Sequence, residues 1–275
     1  MNTEIPITYP FPETPLAILA ALEAGKIVMD VYDHEFSSTL KNVNESITEA
    51  DVKSNQIIQK IISDSGHPIL SEESEDNKKR LDSKKIWIVD PLDGTSDFIK
   101  KTGEFTIMIS LVEEHIPILG VIYWPTKSTL YIAQKGQGAF KSENGIWSRL
   151  SVSNVPDLKN CRAVGSRYHI SEIEQNLIKH LNISQFTSKG SSLKVADISS
   201  GNAELYFTTT NKIKQWDTCA SHCLITEAGG KMTDMLGNDL EYNTEKLNHE
   251  NGLLVSNGLI HDQIINIYSK FLKNN

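Results

Sequence analysis

Three aspartates follow a short apolar run in the segment WIVDPLDGTSDF. Asp90 and Asp93 stand three positions apart, with the carbonyl oxygen of Leu92 between them in sequence. Carboxylates at the end of a buried strand repel one another unless a cation neutralises them, and carboxylate and carbonyl oxygens are hard ligands that suit Mg²⁺. Gly94 and Thr95 follow where a helix is expected to begin, and the free N–H groups of a helix start bind phosphate. The segment alone therefore indicates a metal-plus-phosphate site.

The same segment also matches parts of two other patterns, a calcium-binding loop and a solvated turn. An EF-hand calcium loop counted from Asp90 requires Gly at its sixth position and a bidentate Glu at its twelfth. Those positions hold Thr95 and Lys101, so the calcium loop is rejected. A solvated, aspartate-rich turn without chemistry stays open on this segment taken by itself.

Three further acidic segments bear on the choice. Glu72 and Glu73 follow a short apolar run in ILSEESE, and alone they indicate only a charged loop. Asp217 stands where a helix is predicted to start, which favours an ordinary N-cap carboxylate. Thr48 and Asp51 in TEAD match a capping box, a structural role. Each segment is weak evidence by itself, but their joint occurrence with Asp-Pro-Leu-Asp-Gly-Thr favours a functional site.

The composition restricts the class of partner. The formal net charge of -8 argues against broad electrostatic binding to a nucleic acid polymer or an acidic membrane, although it leaves peripheral membrane association open. The N-terminal residues lack the pattern of a secretory signal, and no apolar run approaches the roughly 18 residues of a membrane span. The odd number of cysteines, three, does not resemble a disulfide framework. We therefore expect a cytoplasmic protein.

Two of the cysteines and one histidine lie close together in sequence. Cys219 and Cys223 are four residues apart, and His222 lies between them. A tetrahedral zinc site requires more ligands than this stretch supplies. Small core residues on a helix are the favoured interpretation.

The periodicity of the first half predicts two helices and then a sheet. Thr14 as N-cap and Pro15 as first helical residue open one helix, and a second runs through VKSNQIIQKIISD to Gly66. Strand patterns follow in KKIWIVD, EFTIMISLVEE, IPILGVIYWP and STLYIAQKG. We expect residues 1–150 to form an α+β metal-binding subdomain on a largely antiparallel sheet.

The second half alternates shorter elements. After a polar, irregular stretch near residues 145–155, helices are predicted in SEIEQNLIKHL, SSLKVADISSG and WDTCASHCLITEAGG, with strands in CRAVGS and AELYFTT. We expect residues 151–275 to form an α/β subdomain that closes the active site. The predicted fold class of the whole chain is α/β (α+β).

The combination of SEES, WIVDPLDGTSDF and WDTCASHCLITEAGG resembles the magnesium-dependent, lithium-sensitive phosphatases of the inositol monophosphatase superfamily. The resemblance runs from ITEAD to NGLLVSNG near the C-terminus. Within the superfamily, DFIKKTGEFTIMISLVEE, VGSRYH and GSSLK are most similar to the bacterial 3'(2'),5'-bisphosphate nucleotidases, which act on a by-product of sulfate assimilation. This resemblance implies a layered αβαβα sandwich. It also implies that the protein hydrolyses adenosine 3',5'-bisphosphate to AMP and phosphate by means of a metal-activated water.

The resemblance also implies a role for each motif position. The implied ligands of two or three Mg²⁺ ions are Glu72, Asp90, Asp93, Asp217 and the main-chain oxygen of Leu92. Thr95, paired with Glu72 or a neighbouring acid, would orient the attacking water and help to deprotonate it. Asp51 would hydrogen-bond to that water or support a further, weaker ion.

A second set of residues is implied to contact the substrate. It comprises Gly94, Thr95, Ser166, Arg167, His169, Ser191, Ser192, Lys194 and Asp217. Arg167 and Lys194 suit a 5'-phosphate, the first through its planar fork and the second as a mobile point charge; surface solubility is the alternative for both. Residues 192–201 are open to a purely structural interpretation, as a packing helix that ends at a glycine.

Two departures from the nucleotidase pattern weaken the substrate assignment. The Arg that usually follows the strand ELYF is absent from TTTNKIKQ, although Lys212 and Lys214 are available to compensate. Ser96 and Asp97 replace the commoner Lys-Glu pair beside the proposed ligands. An inositol or sugar monophosphate phosphatase is therefore one alternative, and a catalytically silent metal- and nucleotide-binding regulator is another. Homodimers are common among relatives, but no segment here requires one.

Overall fold

The computed structural model describes residues 5–36, 38–42, 45–168 and 170–274. In that part of the chain the helices are α1 Thr14–Tyr32, α2 Glu49–Ile62, α3 Thr95–Ile99, α4 Glu172–His180, α5 Leu193–Ser199, α6 Gln215–Glu227 and α7 His261–Asn274. The strands of the first half are β1 Ser38–Asn42, β2 Glu45–Thr48, β3 Ile69–Ser71, β4 Lys85–Asp93, β5 Thr106–Glu113, β6 Ile116–Trp124, β7 Thr129–Gln134, β8 Gly138–Glu143 and β9 Ile146–Arg149. Those of the second half are β10 Arg162–Gly165, β11 Gln185–Ser188, β12 Leu205–Thr208, β13 Lys231–Thr233 and β14 Leu253–Ser256.

Strands β3 to β9 form a seven-stranded sheet in sequence order. The pair β3 and β4 is parallel, and the other five pairs are antiparallel. From β5 onward, short hairpin connections explain this order, because antiparallel neighbours need only a tight turn. The largely antiparallel first sheet predicted from the strand patterns is confirmed.

A five-stranded sheet follows in the order β11-β10-β12-β14-β13. Strand β10 is parallel to both of its neighbours, while β14 is antiparallel to β12 and β13. The chain leaves β10 toward β11 and returns to β12 on the other side. The carboxyl ends of β10 and β12 therefore border a point where the strand order reverses, the usual position of ligand sites in open α/β sheets.

The helices separate the two sheets and cover their outer faces. Helices α1 and α2 pack on one face of the first sheet, and α6 packs on the other beside α5. Helix α7 packs against β14 on the far side of the second sheet, where the apolar cluster also includes residues of α4. The layers are thus helix, sheet, helix, sheet, helix, and the layered αβαβα prediction is confirmed. The first sheet ends at Arg149 and the second begins at Arg162, which overlaps the boundary predicted near residues 145–155, but the division into subdomains stays a prediction.

Several local predictions need refinement. Thr14 is the first residue of α1 and Glu13 occupies its N-cap position, so Thr14 is not the cap. The helix predicted to run to Gly66 is α2 followed by a short 3₁₀ turn, which ends at Gly66 in the left-handed conformation. The three cysteines are free and buried, in agreement with the prediction of core residues for Cys219 and Cys223.

Candidate active site

At the start of α2, Asp51 forms hydrogen bonds both to the capping residue Thr48 and to the catalytic candidate Thr95. The backbone N–H and the hydroxyl of Thr48 both donate to Oδ2 of Asp51, at 2.7 and 2.6 Å. The other carboxylate oxygen, Oδ1, accepts a hydrogen bond of 3.1 Å from the hydroxyl of Thr95. Burial raises the pKa of Asp51, and the hydrogen bonds from Thr48 and Thr95 counter part of that rise. The predicted capping box is therefore present, and Asp51 is also the acid that pairs with Thr95.

The same face of α2 anchors two further segments of the site. Ser54 donates to the carbonyl oxygen of Pro91 at 2.7 Å. Asn55 donates to the carbonyl oxygen of Glu73 at 3.0 Å and accepts from the hydroxyl of Ser71 at 2.7 Å. The sequence prediction missed Ser54 and Asn55, although their spacing of three and four residues from Asp51 places them on its helix face.

The end of β4 turns sharply between its aspartates. The pairing with β5 shifts register between Asp90 and Asp93, and Oδ1 of Asp90 accepts the backbone N–H of Leu92 at 3.0 Å. Gly94 then adopts a φ of +93°, which side-chain-bearing residues rarely adopt. The hydroxyl of Thr95 lies 3.3 Å from the carbonyl oxygen of Leu92. The turn thus places the predicted carbonyl ligand next to the predicted water-orienting hydroxyl.

Four carboxylates influence one another electrostatically at this point. Asp90 is buried, and burial followed by the negative charges of Glu72, Asp93 and Asp217 raises its pKa well above the ordinary value. Burial and then the charge of Glu72 likewise raise the pKa of Asp217. The fold therefore brings together the four predicted acidic ligands, which come from three separate segments.

Asp217 occupies a different helix position from the one predicted. Helix α6 has Lys214 at its N-cap, and Asp217 is the third helical residue. Its Oδ2 atom accepts the backbone N–H of Lys214 at 2.8 Å. The prediction of Asp217 as the N-cap was wrong, because the carboxylate reaches back from the first turn as the acidic member of a capping box.

The GSSLK segment contacts the acidic region directly. The backbone N–H of Ser192 donates to Oδ2 of Asp93, and the hydroxyl of Thr106 lies 3.3 Å from the same oxygen. Lys194 is buried, and its Nζ donates to the carbonyl oxygen of Ser191 at 2.6 Å. Burial lowers the pKa of Lys194, and nearby carboxylates raise it in part; these are Asp93, Asp97, Asp217 and Glu104.

Arg167 lies between two carboxylates. Its Nη1 donates to Asp97 at 2.8 Å and its Nη2 to Glu104 at 2.7 Å. Glu104 also accepts the backbone N–H of Gly190 at 2.8 Å, so the group ties together the loops that follow β10 and precede α5. The sequence prediction assigned no role to Asp97 or Glu104, and neither lies near Arg167 in sequence.

One further predicted substrate contact, Ser166, lies at the second sheet. Ser166 lines a small cavity at the carboxyl ends of β10 and β12, together with Glu174, Phe186, Tyr206 and other residues. His169 was predicted to contact substrate and lies outside the described residues.

The donor set suits a hard cation. Among the residues that the structure describes, no three His, Cys, Asp or Glu side chains already form a ready metal-binding cluster. The charges of Glu72, Asp93 and Asp217 nevertheless raise the pKa of buried Asp90, and those of Glu72 and Asp93 raise the pKa of Asp217. A divalent cation would relieve that repulsion, and oxygen donors are the ligands that Mg²⁺ prefers. The residue types of the donor set therefore fit Mg²⁺.

Comparison with known proteins agrees with this architecture. The sequence profile of the inositol monophosphatase family matches residues 12–272. The chain belongs to this family. The resemblance stated from the motifs is thus confirmed over most of the chain.

Two curated relatives show which members of the family this chain is similar to in sequence. The 3'(2'),5'-bisphosphate nucleotidase CysQ of Escherichia coli K12 is 36% identical over 229 residues, which cover 81% of this chain and 90% of the relative. CysQ of Buchnera aphidicola from Acyrthosiphon pisum is 38% identical, with 81% of this chain and 84% of the relative covered. Both relatives carry the nucleotidase name predicted from the motifs.

Solved structures share the fold. The crystal structure of CysQ from Bacteroides thetaiotaomicron gives a TM-score of 0.76 at 31% identity and covers 89% of this chain and 96% of its own. An IMPase of Thermotoga maritima gives a TM-score of 0.81 at 24% identity, with 96% and 99% covered, and supports the fold alone. Within the described part of the chain, no helix is both long enough and apolar enough to span a membrane.

Proposed function

We propose that this chain is a magnesium-dependent phosphomonoesterase that hydrolyses adenosine 3',5'-bisphosphate to AMP and phosphate. The observation that carries the proposed chemistry is the hydrogen bond from Thr95 to buried Asp51, beside the acidic set of Glu72, Asp90 and Asp217. The nucleotidase names of the relatives that are 36% and 38% identical support the choice of substrate.

The proposed reaction is direct attack of water on the phosphorus atom. When bound by the predicted ligands, Mg²⁺ supplies positive charge that lowers the pKa of water and stabilises charge on the phosphate oxygens. The Thr95 hydroxyl donates to Asp51, so its oxygen lone pairs are free to accept a hydrogen bond from the attacking water. That contact orients the water, and the carboxylate of Asp51 favours the movement of a proton toward Thr95.

Other groups hold the phosphate and the acids in place. The N–H groups of Gly94 and Thr95 are proposed to donate to phosphate oxygens, as expected at a helix start. Glu72 is proposed as both a ligand and a second acid near the water. The number of ions, two or three, follows from the family resemblance and stays a prediction.

The proposed nucleotide contacts belong to the segment that follows β10 in sequence, the residues just before α5 and the first turn of α5. They comprise Ser166, Arg167, His169, Ser191, Ser192 and Lys194. Lys194 is the best supported of the cations, because it is buried beside Asp93 and its pKa responds to Asp217, which places its charge at the acidic site. A buried ammonium group in this position would favour binding of an anionic substrate.

An inositol or sugar monophosphate phosphatase is the second candidate. Both terminal nitrogens of Arg167 are already engaged, by Asp97 and Glu104, which reduces its availability for a second phosphate. The loop that contains Lys212 and Lys214 also lacks the Arg usual in nucleotidases. Both observations favour a substrate with a single phosphate.

Phosphate release distinguishes these candidates. Adenosine 3',5'-bisphosphate and myo-inositol 1-phosphate are compared side by side with Mg²⁺ and again after chelation. Preference for the nucleotide supports the proposal, and preference for the inositol phosphate supports the second candidate. Binding without release of phosphate from either compound would favour the silent regulator. Cytoplasmic location, a homodimer and a part in sulfur metabolism stay predictions.

A further inference from the structure

The segment 242–249 lies between the two regions that carry Glu72 and Asp217. Asn243 is its most constrained residue, since it is buried and has a φ of +55°. Asn tolerates this left-handed conformation better than most side-chain-bearing residues do. Both its side chain and its backbone N–H form hydrogen bonds, and these bonds run in two different directions.

The side chain of Asn243 binds the region that follows Glu72. Its Oδ1 accepts from Nη1 of Arg80 at 2.9 Å, and its Nδ2 donates to the carbonyl oxygens of Arg80 and Ser83 at 3.2 and 3.1 Å. Arg80 is 2% exposed, and its Nε and Nη2 bind the carboxylate of Asp76, four residues after Glu72. The end of the Glu72 loop is therefore held by a buried guanidinium whose three nitrogens all donate hydrogen bonds.

The backbone N–H of Asn243 binds the start of helix α6. It donates to Oε1 of Gln215 at 2.8 Å. Nε2 of Gln215 donates to Thr244 Oγ1 and to the carbonyl oxygen of Lys246, both at 2.8 Å. The backbone N–H of Gln215 also donates to the carbonyl oxygen of Leu247 at 2.9 Å. Gln215 is thus fixed to this segment two residues before Asp217.

These contacts form a continuous bridge, Arg80 to Asn243 to Gln215, between two segments whose acids repel each other. The negative charge of Glu72 raises the pKa of Asp217, second only to burial. The two acids lie 145 positions apart in sequence, so tertiary contacts must hold their segments together. The bridge is a rigid connection that resists their separation.

We propose that Asn243 is a positioning residue that sets the separation of Glu72 and Asp217 and so tunes the affinity of the site for Mg²⁺. This inference rests on the proposed function, since it assumes that both acids are metal ligands. Partners that orient ligands from behind contribute roughly 10- to 100-fold to metal affinity. Asn243 acts one step further away, so we expect an effect of about tenfold.

The test is Mg²⁺ binding to purified protein by titration calorimetry, in the absence of substrate. Asn243→Gly removes the side-chain bonds and tolerates the positive φ. We expect its dissociation constant for Mg²⁺ to rise about tenfold, with kcat recovering at saturating Mg²⁺. The matched control is Asn257→Ala. Asn257 is also buried, but its side chain bonds to residues 153, 155 and 259, so its Mg²⁺ affinity should equal that of the wild type.

A second variant tests the same bridge if Asn243→Gly does not fold. Gln215→Met keeps the side-chain length but loses the amide bonds, and it should weaken Mg²⁺ binding to a similar degree. Because both variants break one bridge, the double variant should lose less affinity than the sum of the two single losses. Wild-type affinity in folded Asn243→Gly or Gln215→Met overturns this inference alone. Absence of Mg²⁺ binding by the wild type overturns the proposed metal site and this inference with it.

Discussion

The hydroxyl of Thr95 lies 3.1 Å from Oδ1 of Asp51, whose Oδ2 accepts both hydrogen bonds of the Thr48 cap. One buried carboxylate therefore fixes the first turn of α2 and the hydroxyl at the candidate active site. Capping alone would require only one of its oxygens. The second oxygen accepts from Thr95, so the capping interpretation leaves room for the catalytic interpretation of Asp51, which stays a prediction.

Substitutions of Thr95 distinguish the contribution of its hydroxyl to catalysis from any contribution to the stability of the fold. Thr95→Ala removes the donor to Asp51, and phosphate release should fall by about 10²- to 10⁴-fold, the usual contribution of a positioned proton-transfer group. Thr95→Ser keeps the hydroxyl and should retain most activity. Both variants should show cooperative thermal unfolding close to that of the wild type. Equal activity of the Ala and Ser variants would contradict the proposed role.

Asp93→Asn tests the acidic set. Asp93 accepts bonds from Ser192 and Thr106, and an Asn side-chain oxygen can replace part of that acceptance. The change also removes one repelling charge beside Asp90, so the fold should persist. Loss of a ligand should reduce phosphate release by more than about a hundredfold, beyond the usual effect of outer partners. Measured turnover near that of the wild type would show that the metal site is wrongly assigned.

The control for Asp93→Asn is Glu114→Gln. Glu114 is an exposed acid whose partner is the exposed Lys84. Exposed substitutions of this kind usually change stability by no more than about 0.5 kcal/mol. Turnover of this variant should equal that of the wild type. Both variants remove one negative charge, so a loss of turnover in Asp93→Asn alone would depend on where that charge lies in the protein.

The sequence allowed the local parts of the site to be predicted. Asp90, Leu92, Asp93 and Thr95 lie within six residues, so one strand end and one turn determine their arrangement. The capping box at Thr48 and Asp51 is local in the same way. The element types also followed from the pattern, because hydrophobic periodicity reports whether a segment forms a helix or a strand, whereas the layer order was implied by the family resemblance.

Long-range partners were not predictable from spacing. Arg167 binds Asp97 and Glu104, which lie 70 and 63 positions away, and the sequence indicated neither pair; its predicted contact with a phosphate stays a prediction. Arg80 and Asn243 meet across 163 positions. Such pairs depend on how the two sheets dock, and hydrophobic periodicity carries no information about which charged side chains then meet.

Lithium should inhibit phosphate release when Mg²⁺ is limiting. The family resemblance predicts that Li⁺ occupies one metal position and delays product release. Its single charge neutralises less of the repulsion among Asp90, Asp217 and Glu72 than a divalent ion does. Initial rates with millimolar lithium chloride, compared with an equal concentration of sodium chloride, check the expectation. Equal rates in the two salts would count against it.

His261 should make the stability of the fold depend on pH below neutrality. Its ring is buried between Thr233 Oγ1 and Ser256 Oγ, both at 2.9 Å, and burial lowers its pKa to about 4, with Lys231 adding to the effect and Asp262 opposing it. The unfolded chain binds this proton near pH 6.5, so stability is complete above that pH and falls as the pH drops toward 4.

His261→Gln removes this titration and keeps a polar side chain between the two hydroxyls. Denaturant unfolding at several pH values should show a slope that is shallower than that of the wild type between pH 4 and pH 6.5, by up to about 1.4 kcal/mol per pH unit, the value for one proton. His34→Gln is the control, because His34 is exposed and its variant should keep the wild-type slope. An unchanged slope in His261→Gln would mean that the native protein accommodates the charged ring, since only a proton bound by the unfolded chain and refused by the native one produces this dependence.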